Sequence, residues 1–380
     1  MTNRINRVLV TGGAGFIGSH TVDLLIEHDY DVTILDNLEP QVHGKKRKIP
    51  DYMNKKANFE IGDICNRKLL KKLILDADAV IHLAAMVGVG QSMYQIEHYI
   101  NVNTLGTANL LDVLINEKNH VEKILVASSM SVYGEGKYHC QECDLYFYPA
   151  IRDNEQLKKM QWDYTCPSCG SILTPLPTDE EKLLTPTSIY AISKRHQEEL
   201  CLLTGKTYGI PTIALRYFNV YGPRQSLSNP YTGVAAIFSG HILNKHAPYI
   251  FEDGKQSRDF IHVKDVAQAN LNSLIYKEAE YTAINVGTGI PTSIKKLANI
   301  LIEIFGYKFR PYVSNKYRKG DVRHCFADVK RAQNLLNFKP SVSLRDGLTE
   351  LIEWSKKQGW ESVDLFKKVL RELRKKQLLK

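Results

Sequence analysis

Tyr190 and Lys194 form a pair of side chains that could transfer a proton. They are four positions apart in a segment with a helical pattern, so both lie on one face of a helix. A tyrosine acts as a base near neutral pH only when its phenolate is stabilised, because its ordinary pKa is about 10. A lysine ammonium on the same face supplies such stabilisation. Since the spacing also arises by chance on exposed helices, the pair alone leaves both interpretations open.

Four of the seven cysteines form a second group with chemical potential. They make two Cys-x-x-Cys pairs, Cys140 with Cys143 and Cys166 with Cys169. Four thiolates at this spacing can close a tetrahedral zinc site, and because no ligand position stays open, the ion would be structural. Reduced or disulfide-linked cysteines in a mobile loop are the alternative. The other three cysteines are scattered, and we expect them to be core thiols.

A glycine-rich turn at residues 11–18 follows an apolar run and opens a helical pattern. In such a turn Gly12 allows the tight bend, Gly15 lets a pyrophosphate lie on the backbone, and Gly18 lets the helix pack against the strand. The helix N-terminus adds unpaired N–H groups and a positive dipole end. An ordinary strand-to-helix turn is the alternative, but the residues that follow favour a dinucleotide site.

The acidic residue that would complete this dinucleotide site is Asp36. It ends the next predicted strand, 18 positions after Gly18, where an acid would hold the adenosine ribose hydroxyls. No arginine adjoins Asp36 to accept a 2′-phosphate. The sequence therefore predicts NAD rather than NADP.

The elements that must position these residues alternate between strand and helix patterns up to about residue 130. Short β-rich runs are predicted at residues 7–11, 31–35, 58–61, 79–83 and 122–128. This alternation predicts an α/β fold with a doubly wound parallel sheet. Ligands of such sheets bind at the carboxyl ends of the strands.

Residues at the predicted strand ends suit a cofactor. Asp63 and Ile64 follow the third strand, and Leu83, Ala84 and Ala85 follow the fourth. An aspartate there could bind the adenine amino group, and small alanines let a cofactor approach the backbone. Plain turn chemistry would explain these residues equally well.

Composition favours a soluble globular protein. The chain has 380 residues, 43% hydrophobic and 24% charged, with a formal net charge of +9. This charge would suit an anionic substrate or nucleic acid, but because it is scattered it does not decide between them. We expect no nucleic-acid partner. Because no signal peptide precedes the first strand and no apolar run is long enough to cross a bilayer, we expect a cytoplasmic protein with no membrane span.

Taken together, these motifs resemble the extended short-chain dehydrogenase/reductase family, and within it the nucleotide-sugar 4-epimerases. The resemblance rests on residues 11–18, Asp36, 82–85, 128–134, 190–194, 215–224, 254, 258–263, 285–287 and 320–322. It covers essentially the whole chain except about 140–175 and the last twenty or so residues. It implies a Rossmann-type core, a smaller mixed α/β substrate cap, and a nucleotide-sugar substrate.

The resemblance also implies roles for individual residues. The catalytic residues would be Ser129, Tyr190 and Lys194. NAD would contact Gly12, Gly15, Phe16, Ile17, Gly18, Asp36, Asn37, Asp63, Ile64, Leu83, Ala84, Ala85, Asn103, Tyr190, Lys194 and Tyr217. The substrate would contact Gly88, Ser129, Ser131, Asn219, Arg258, Arg318 and Asp321. For Asn103 the resemblance implies either this contact with NAD or an indirect role behind the residues that contact it. Without this context, Asn103 is better explained as a solvent-facing or helix-bending amide.

The implied reaction is oxidation of the sugar at C4 to a ketone, rotation of the sugar, and reduction on its other face. Tyr190 would accept the proton of the 4-hydroxyl. Dehydratases of the family carry an Asp-Glu pair after the hydroxyl residue, and decarboxylases carry a glutamate there. This chain has Met130 and Ser131 instead, which favours epimerisation, since that reaction needs no further acid or base.

The segment between Gly134 and Tyr190 is unusually long for the family and holds the cysteine pairs in a zinc-ribbon-like arrangement. Together with residues 87–95 and 229–234, it is most similar to the dTDP-L-rhamnose 4-epimerase group, which interconverts dTDP-L-rhamnose and dTDP-6-deoxy-L-talose. The resemblance further implies a homodimer through helices near 93–116 and 188–208.

We expect five parts along the chain. These are the dinucleotide-binding core at 1–135, the four-cysteine insertion at 136–178, the rest of the core at 179–220, a substrate cap interleaved with the last core elements at 221–360, and a basic helix at 361–380. The basic helix is expected to be solvated, with membrane-surface or partner docking as the alternative.

Three other functions remain open at this point. The first is a UDP-hexose or UDP-N-acetylhexosamine 4-epimerase, and the second is an NAD-dependent nucleotide-sugar reductase of the same fold. The third is a non-catalytic NAD-binding regulator that uses the zinc module and its basic charge to hold nucleic acid. Retention of Ser129, Tyr190 and Lys194 together argues against the regulator.

Overall fold

The computed structural model describes residues 5–226, 233–357 and 365–379. Its strands are β1 (Arg7–Thr11), β2 (Asp31–Asp36), β3 (Asn58–Ile61), β4 (Ala79–His82), β5 (Lys123–Ser129), β6 (Lys137–Cys140), β7 (Leu145–Phe147), β8 (Thr174–Leu176), β9 (Thr212–Tyr217), β10 (Asn219–Tyr221), β11 (Tyr249–Ile250), β12 (Ser257–His262), β13 (Thr282–Val286), β14 (Pro291–Ser293), β15 (Tyr312–Val313) and β16 (His324–Cys325).

The α-helices are α1 (Phe16–Glu27), α2 (Pro40–His43), α3 (Arg67–Leu75), α4 (Val89–Ser92), α5 (Ile96–Tyr99), α6 (Gly106–Asn116), α7 (Asn154–Lys158), α8 (Ile189–Tyr208), α9 (Val234–Leu243), α10 (Val263–Ile275), α11 (Ile294–Phe305), α12 (Lys330–Leu336), α13 (Leu344–Lys357) and α14 (Leu365–Lys375). A π-helical turn, Ile100–Leu105, joins α5 to α6, and a 3₁₀ turn, Met130–Tyr133, follows β5.

Seven parallel strands form the central sheet, in the order β13-β9-β5-β4-β1-β2-β3. The two largest apolar clusters lie on its opposite faces. Val8 and Val10 belong to one cluster and Leu9 to the other, because successive side chains of a strand point to opposite faces. Helices cover both faces, so the predicted α/β fold with a doubly wound parallel sheet is confirmed.

The strand order reverses beside β1, since β2 lies on one side of it and β4 on the other. Ligands of open α/β sheets bind in the crevice that this reversal opens at the carboxyl ends of the strands. The glycine turn after β1 and the alanines after β4 therefore meet at the place where a ligand is expected.

A smaller cap is built on the other side of that crevice. Strands β10, β12 and β14 form a sheet that β16 joins, and β11 pairs with β15. Helices α9, α11 and α13 pack on one another around a separate apolar cluster that includes Phe238, Leu297 and Leu351. Because β10 and β12 alternate along the chain with β9 and β13 of the central sheet, cap and core are interleaved.

The four-cysteine insertion (residues 136–178) folds around an antiparallel sheet in the order β7-β6-β8. Its own small core holds Tyr138, Cys140, Tyr164, Cys166 and Leu173. A backbone bridge between Thr178 and Ala327 fastens it to the cap.

The predicted helix near 93–116 is present from Ile96 to Asn116, where α5, the π-helical turn and α6 follow one another without a break. Asn103 lies in the π-helical turn, and its side chain pairs with the backbone of Met86. Single π turns inside helices are common at functional sites. The resemblance at 229–232 lies outside the described residues, as does part of the predicted helix at 361–380. None of the helices in the described ranges is both long and apolar enough to span a membrane.

Candidate active site

A cavity of about 630 Å³ lies between the carboxyl ends of the central strands and the cap. It is lined by every predicted cofactor, substrate and catalytic residue except Asp63 and Asn103. The wall thus includes the glycine turn, the end of β2, the Ser129 region, the start of α8, and Arg258 of the cap. The sequence motifs that the chain separates widely are brought to one cleft.

The glycine turn leaves no room for side chains. A Cβ on Gly12 would lie 2.8 Å from the backbone nitrogen of Ala84, and one on Gly18 would lie 2.2 Å from the carbonyl oxygen of Gly12. Gly12 also has a φ of 71°, which glycine adopts without strain. Helix α1 begins after Gly15 with no side-chain cap, so its first N–H groups face the cavity as a site for phosphate.

Asp36 lines the cavity at the carboxyl end of β2. Its carboxylate accepts hydrogen bonds from the backbone N–H groups of Ala14 (3.0 Å) and Leu38 (2.8 Å). Burial raises the pKa of Asp36, while these hydrogen bonds and His43 lower it. Among the described residues the basic side chain beside Asp36 is His43, at 3.9 Å, and no arginine is paired with it. These residues fit NAD, as the sequence predicts.

Asp63 and Asn103 lie behind the cavity wall. The Asp63 carboxylate accepts hydrogen bonds from the Asn37 side chain (2.8 Å) and from the Cys65 backbone (2.8 Å). Asn103 is fully buried and binds both the N–H and the carbonyl of Met86. Each side chain therefore holds a wall segment in place. The expected contact of Asp63 with the cofactor is not supported by this position, whereas Asn103 takes the indirect, supporting one of its two expected roles.

Helix α8 is fixed to the central sheet by a buried ion pair. Arg216 of β9 donates to the Glu198 carboxylate (3.0 Å), and the Ser128 hydroxyl donates to the same group (2.6 Å). Because Glu198 and Tyr190 belong to the same helix, this contact sets Tyr190 against the end of β5, where Ser129 lies.

Ser129, Ser131 and Tyr190 meet inside the cavity. The Ser131 hydroxyl donates to the Ser129 hydroxyl oxygen at 2.9 Å. Burial raises the pKa of Tyr190, and a hydrogen bond with Ser129 lowers it. Burial is the larger effect, so the tyrosine is a neutral phenol before a ligand is bound.

Lys194 does not contact Tyr190 as the sequence analysis expects. Its ammonium donates to the Gln197 side chain at 2.7 Å, and burial lowers the pKa of Lys194 to about 7. The helical spacing brings the two residues to one face, but the long lysine side chain extends towards the next turn. The groups that set the pKa of Tyr190 are thus its buried surroundings and Ser129.

We predict that Lys194→Met flattens the pH dependence of stability. The pKa of Lys194 is about 7 in the folded protein and about 10.4 when unfolded. The unfolded chain therefore binds more protons between these values, so wild-type stability rises from about pH 7 to pH 10 and falls as pH returns to 7. Thermal unfolding of nucleotide-free protein should show a smaller rise of Tm for the variant. Equal slopes for wild type, Lys194→Met and the exposed-site control Lys206→Met would contradict this.

Tyr99 is a site residue that the sequence did not reveal. Its buried ring packs edge-on against Tyr190, with centroids 6.4 Å apart, and its hydroxyl donates to the Val87 carbonyl (2.9 Å). It thereby joins the tyrosine to the loop that contains Gly88, which lines the cavity with a φ of 134°. Nothing in the local pattern around Tyr99 indicates this long-range contact.

The cap side of the cavity carries the predicted substrate residues. Arg258 and Arg318 both bind the Asp321 carboxylate, at 3.3 Å and 2.7 Å. Burial would raise the pKa of Asp321, but the two guanidinium groups outweigh it and lower the pKa. The Arg318 guanidinium also lies 4.9 Å from the ring centroid of Phe251. Phe251 lines the cavity but is not among the residues predicted from the sequence.

Several amides of the cavity wall have polar atoms without partners. The buried side-chain oxygens of Asn219, Gln225 and Gln256 accept no hydrogen bond from the described residues. Buried acceptors in proteins are normally satisfied. These three groups therefore suit a ligand that presents hydroxyl or N–H donors.

The C-terminal segment also contributes to the cavity, so the predicted solvated helix is wrong. Leu370, Leu373 and Leu378 line the wall, and Leu373 is buried. The Tyr94 hydroxyl donates to the Glu372 carboxylate at 3.0 Å. Leu370 and Leu373 of α14 pack in one cluster with Phe251, an arrangement that a basic composition does not indicate.

The four cysteines of the insertion converge as predicted. All their sulfur atoms lie within 4.8 Å of one another, with Cys140 and Cys169 at 3.5 Å and Cys143 and Cys166 at 3.9 Å. A tetrahedron of zinc–sulfur bonds of about 2.3 Å requires sulfur atoms roughly 3.8 Å apart, well beyond a disulfide bond. The donor set therefore fits a zinc ion.

Comparison with known proteins agrees with this site. Residues 8–154 and 165–287 match the model of the NAD dependent epimerase/dehydratase family. The dTDP-L-rhamnose 4-epimerase of Burkholderia thailandensis is 36% identical over 350 residues, 92% of this chain and 94% of the relative. The putative UDP-glucose 4-epimerase of Methanocaldococcus jannaschii is 37% identical over 351 residues, 92% and 98% of the two chains.

Among solved structures, a UDP-glucose 4-epimerase of Thermotoga maritima with UDP-glucose superposes with a TM-score of 0.76 at 32% identity. The match covers 93% of this chain and 99% of that one. The chain thus belongs to the NAD dependent epimerase/dehydratase family. It is an NAD-dependent nucleotide-sugar epimerase, and the resemblance to the extended short-chain dehydrogenase/reductases is confirmed.

Proposed function

We propose that this enzyme catalyses redox-neutral 4-epimerisation with Tyr190 as the base. The carboxylates that line the described part of the cavity are those of Asp36, Glu39 and Asp321. Asp36 and Glu39 accept backbone hydrogen bonds, and Asp321 is paired with two arginines. Among the described residues, no free acid therefore stands beside Tyr190 to eliminate water or to assist decarboxylation. This observation is our reason for proposing epimerisation rather than dehydration or decarboxylation.

One group of cleft residues acts on the sugar of the substrate, and another group binds its diphosphate. In its phenolate form, which the positive charge of an oxidised nicotinamide bound in the cleft would favour, Tyr190 accepts the proton of the sugar 4-hydroxyl, and Ser129 holds the reacting oxygen by a hydrogen bond. Arg258, with Asn219, binds the diphosphate through the planar fork of its guanidinium. NAD, held by the glycine turn and Asp36, supplies hydride acceptance and return at C4. Tight binding at the diphosphate lets the 4-keto sugar turn between the two transfers.

We propose dTDP-L-rhamnose as the substrate, with dTDP-6-deoxy-L-talose as the product. The relative from Burkholderia thailandensis bears that activity in its name. Apolar side chains of Met86, Val87 and Met130 line the same cavity as Ser129, which suits a sugar with a methyl group at C5. The second candidate is a UDP-hexose 4-epimerase, favoured by the equally similar relative from Methanocaldococcus jannaschii.

Proton NMR of the purified enzyme with each nucleotide sugar decides between these substrates. We would supply dTDP-L-rhamnose, UDP-glucose and UDP-N-acetylglucosamine separately, without added reductant. A new C4 epimer from the dTDP sugar, formed faster than from either UDP sugar, is expected. If only a UDP sugar is converted, that sugar and not dTDP-L-rhamnose is the substrate. Net consumption of added NADH would instead indicate a reductase.

We further propose that the four cysteines bind one structural zinc ion and that the enzyme is a homodimer. The converging sulfur atoms support the zinc ion. Exposed apolar side chains of Ile96, Leu105 and Leu203, on the segments predicted to pair, support the dimer. Sedimentation equilibrium should therefore give twice the chain mass of 43.2 kDa.

A further inference from the structure

We propose that the four-cysteine insertion positions the arginine that binds the substrate diphosphate. The proposed path runs from the cysteine cluster through Tyr138, Tyr164 and Glu135 to the segment 321–324, and from there to Arg258. The inference rests on the proposed function, because it assigns Arg258 to the diphosphate. It gives the insertion a role in substrate affinity rather than in the chemical step.

The first step of the path joins the cysteine cluster to Glu135. Tyr138 and Tyr164 each precede a buried cysteine of the cluster by two residues and pack in the same small core. The Tyr138 hydroxyl donates to the Glu135 carboxylate at 2.7 Å, and the Tyr164 hydroxyl shares its hydrogen between that carboxylate, at 3.1 Å, and the Ala150 carbonyl, at 2.9 Å. A metal ion that holds the two knuckles together therefore also fixes the spacing of the two hydroxyls.

The second step joins Glu135 to the cap. Its carboxylate accepts hydrogen bonds from the backbone N–H groups of Arg323 and His324, both at 2.7 Å. Glu135 is only 1% exposed. Because a buried carboxylate is stabilised only when its partners are in place, movement of either tyrosine hydroxyl would disturb its hold on the 323–324 backbone.

Arg152 of the insertion provides a second, independent attachment. Its guanidinium makes two bonds of 2.9 Å to the Glu252 carboxylate and one of 3.1 Å to the Asp321 carbonyl. The side chains of Arg152 and Glu252 are 1% and 2% exposed. Arg323 binds the same Glu252 carboxylate at 3.1 Å. Removing one partner of such a buried pair strongly destabilises the folded protein, because the other charge is left buried without a partner.

The last step is the orientation of Arg258. Its guanidinium donates to the backbone carbonyls of Val322 and Arg323 and to the Asp321 carboxylate. All three acceptors belong to the segment that Glu135 and Arg152 hold. Asp321 and Val322 themselves line the cavity. A shift of this segment would therefore move the arginine fork, and displacements near 1 Å can cost about a hundredfold in function.

The test compares Tyr138→Phe, which removes one hydroxyl, with Arg152→Met and the conservative variant Arg152→Lys. Calorimetry with dTDP and with UDP gives the dissociation constants, and steady-state kinetics separates KM from kcat. We expect Tyr138→Phe and Arg152→Met to weaken nucleotide binding and raise KM by roughly ten- to a hundredfold. Their kcat at saturation should stay within about threefold of wild type, and Arg152→Lys should recover part of the affinity.

Tyr146→Phe is the matched control, because Tyr146 is 61% exposed on the same insertion, and it should bind like wild type. Zinc content and thermal unfolding of each variant show whether the insertion stays folded. If wild type binds and epimerises while Tyr138→Phe and Arg152→Met keep its affinity, this inference is overturned and the proposed function stands. If wild type binds neither dTDP nor UDP and epimerises no nucleotide sugar, the proposed function fails and the inference fails with it.

Discussion

Replacing Tyr190 by phenylalanine is expected to lower kcat on the order of 10²- to 10⁴-fold, the range typical of a lost general base. The change removes one oxygen from a side chain that lines the cavity beside Ser129. The ring of Tyr99 that packs against it keeps its contact, so the fold and the nucleotide site should persist. Initial rates of C4 epimer formation by NMR, with the NAD content of the purified variant, measure the effect.

Tyr208→Phe provides the control for this prediction, because Tyr208 ends the same helix and is 59% exposed. It should turn over like wild type. If Tyr190→Phe retained the wild-type rate with unchanged NAD content, another group would have to accept the proton. The neighbouring hydroxyl of Ser129 would then be the next residue to replace.

Replacing Cys166 by serine is expected to abolish zinc binding and to unfold much of the insertion. Cys166 is buried in the small core of that insertion, and structural zinc sites supply roughly 10–16 kcal/mol of binding free energy that is also folding free energy. Elemental analysis should give one zinc per chain for wild type and none for the variant. Hydrogen exchange should become fast at residues 136–178 while the central sheet stays protected.

Cys65→Ser is the matched control, since Cys65 lies outside the cluster and is only partly buried. Its zinc content and exchange pattern should equal those of wild type. Wild-type protein that contains no zinc, and whose insertion exchanges equally slowly before and after treatment with a chelator, would show that the cysteines serve as thiols of a metal-free core.

Local patterns are sufficient to predict the strand–turn–helix unit that lines the proposed cofactor end of the cavity. The bend at Gly12, the dipole of the following helix and the acid at Asp36 each depend on neighbours within one strand–turn–helix unit. The sheet, too, follows from apolar runs of strand length, and its seven parallel strands confirm the predicted class. The convergence of the four cysteines was predictable because their spacing alone restricts what they can bind.

Contacts between distant segments were beyond the reach of the sequence. Asn103 and Asp63 carry the expected side-chain chemistry, yet they bind backbone and neighbouring side chains behind the wall. The direction of Lys194 depends on Gln197 and not on helical spacing alone. Tyr99 packs against Tyr190, and Arg152 binds Glu252, although these partners are about a hundred residues apart in the chain. Leu370 and Leu373 of α14 pack with Phe251, a contact that the local sequence does not indicate.

The most direct test of transient oxidation at C4 uses a nucleotide sugar deuterated at that carbon. Incubated in ordinary water with the purified enzyme and no added reductant, both epimers should keep deuterium at C4, because the hydride leaves and returns within one active site. Mass spectrometry and proton NMR of the product would detect this retention. Loss of deuterium to solvent as the epimer forms would contradict hydride transfer and require a proton-exchange mechanism in its place.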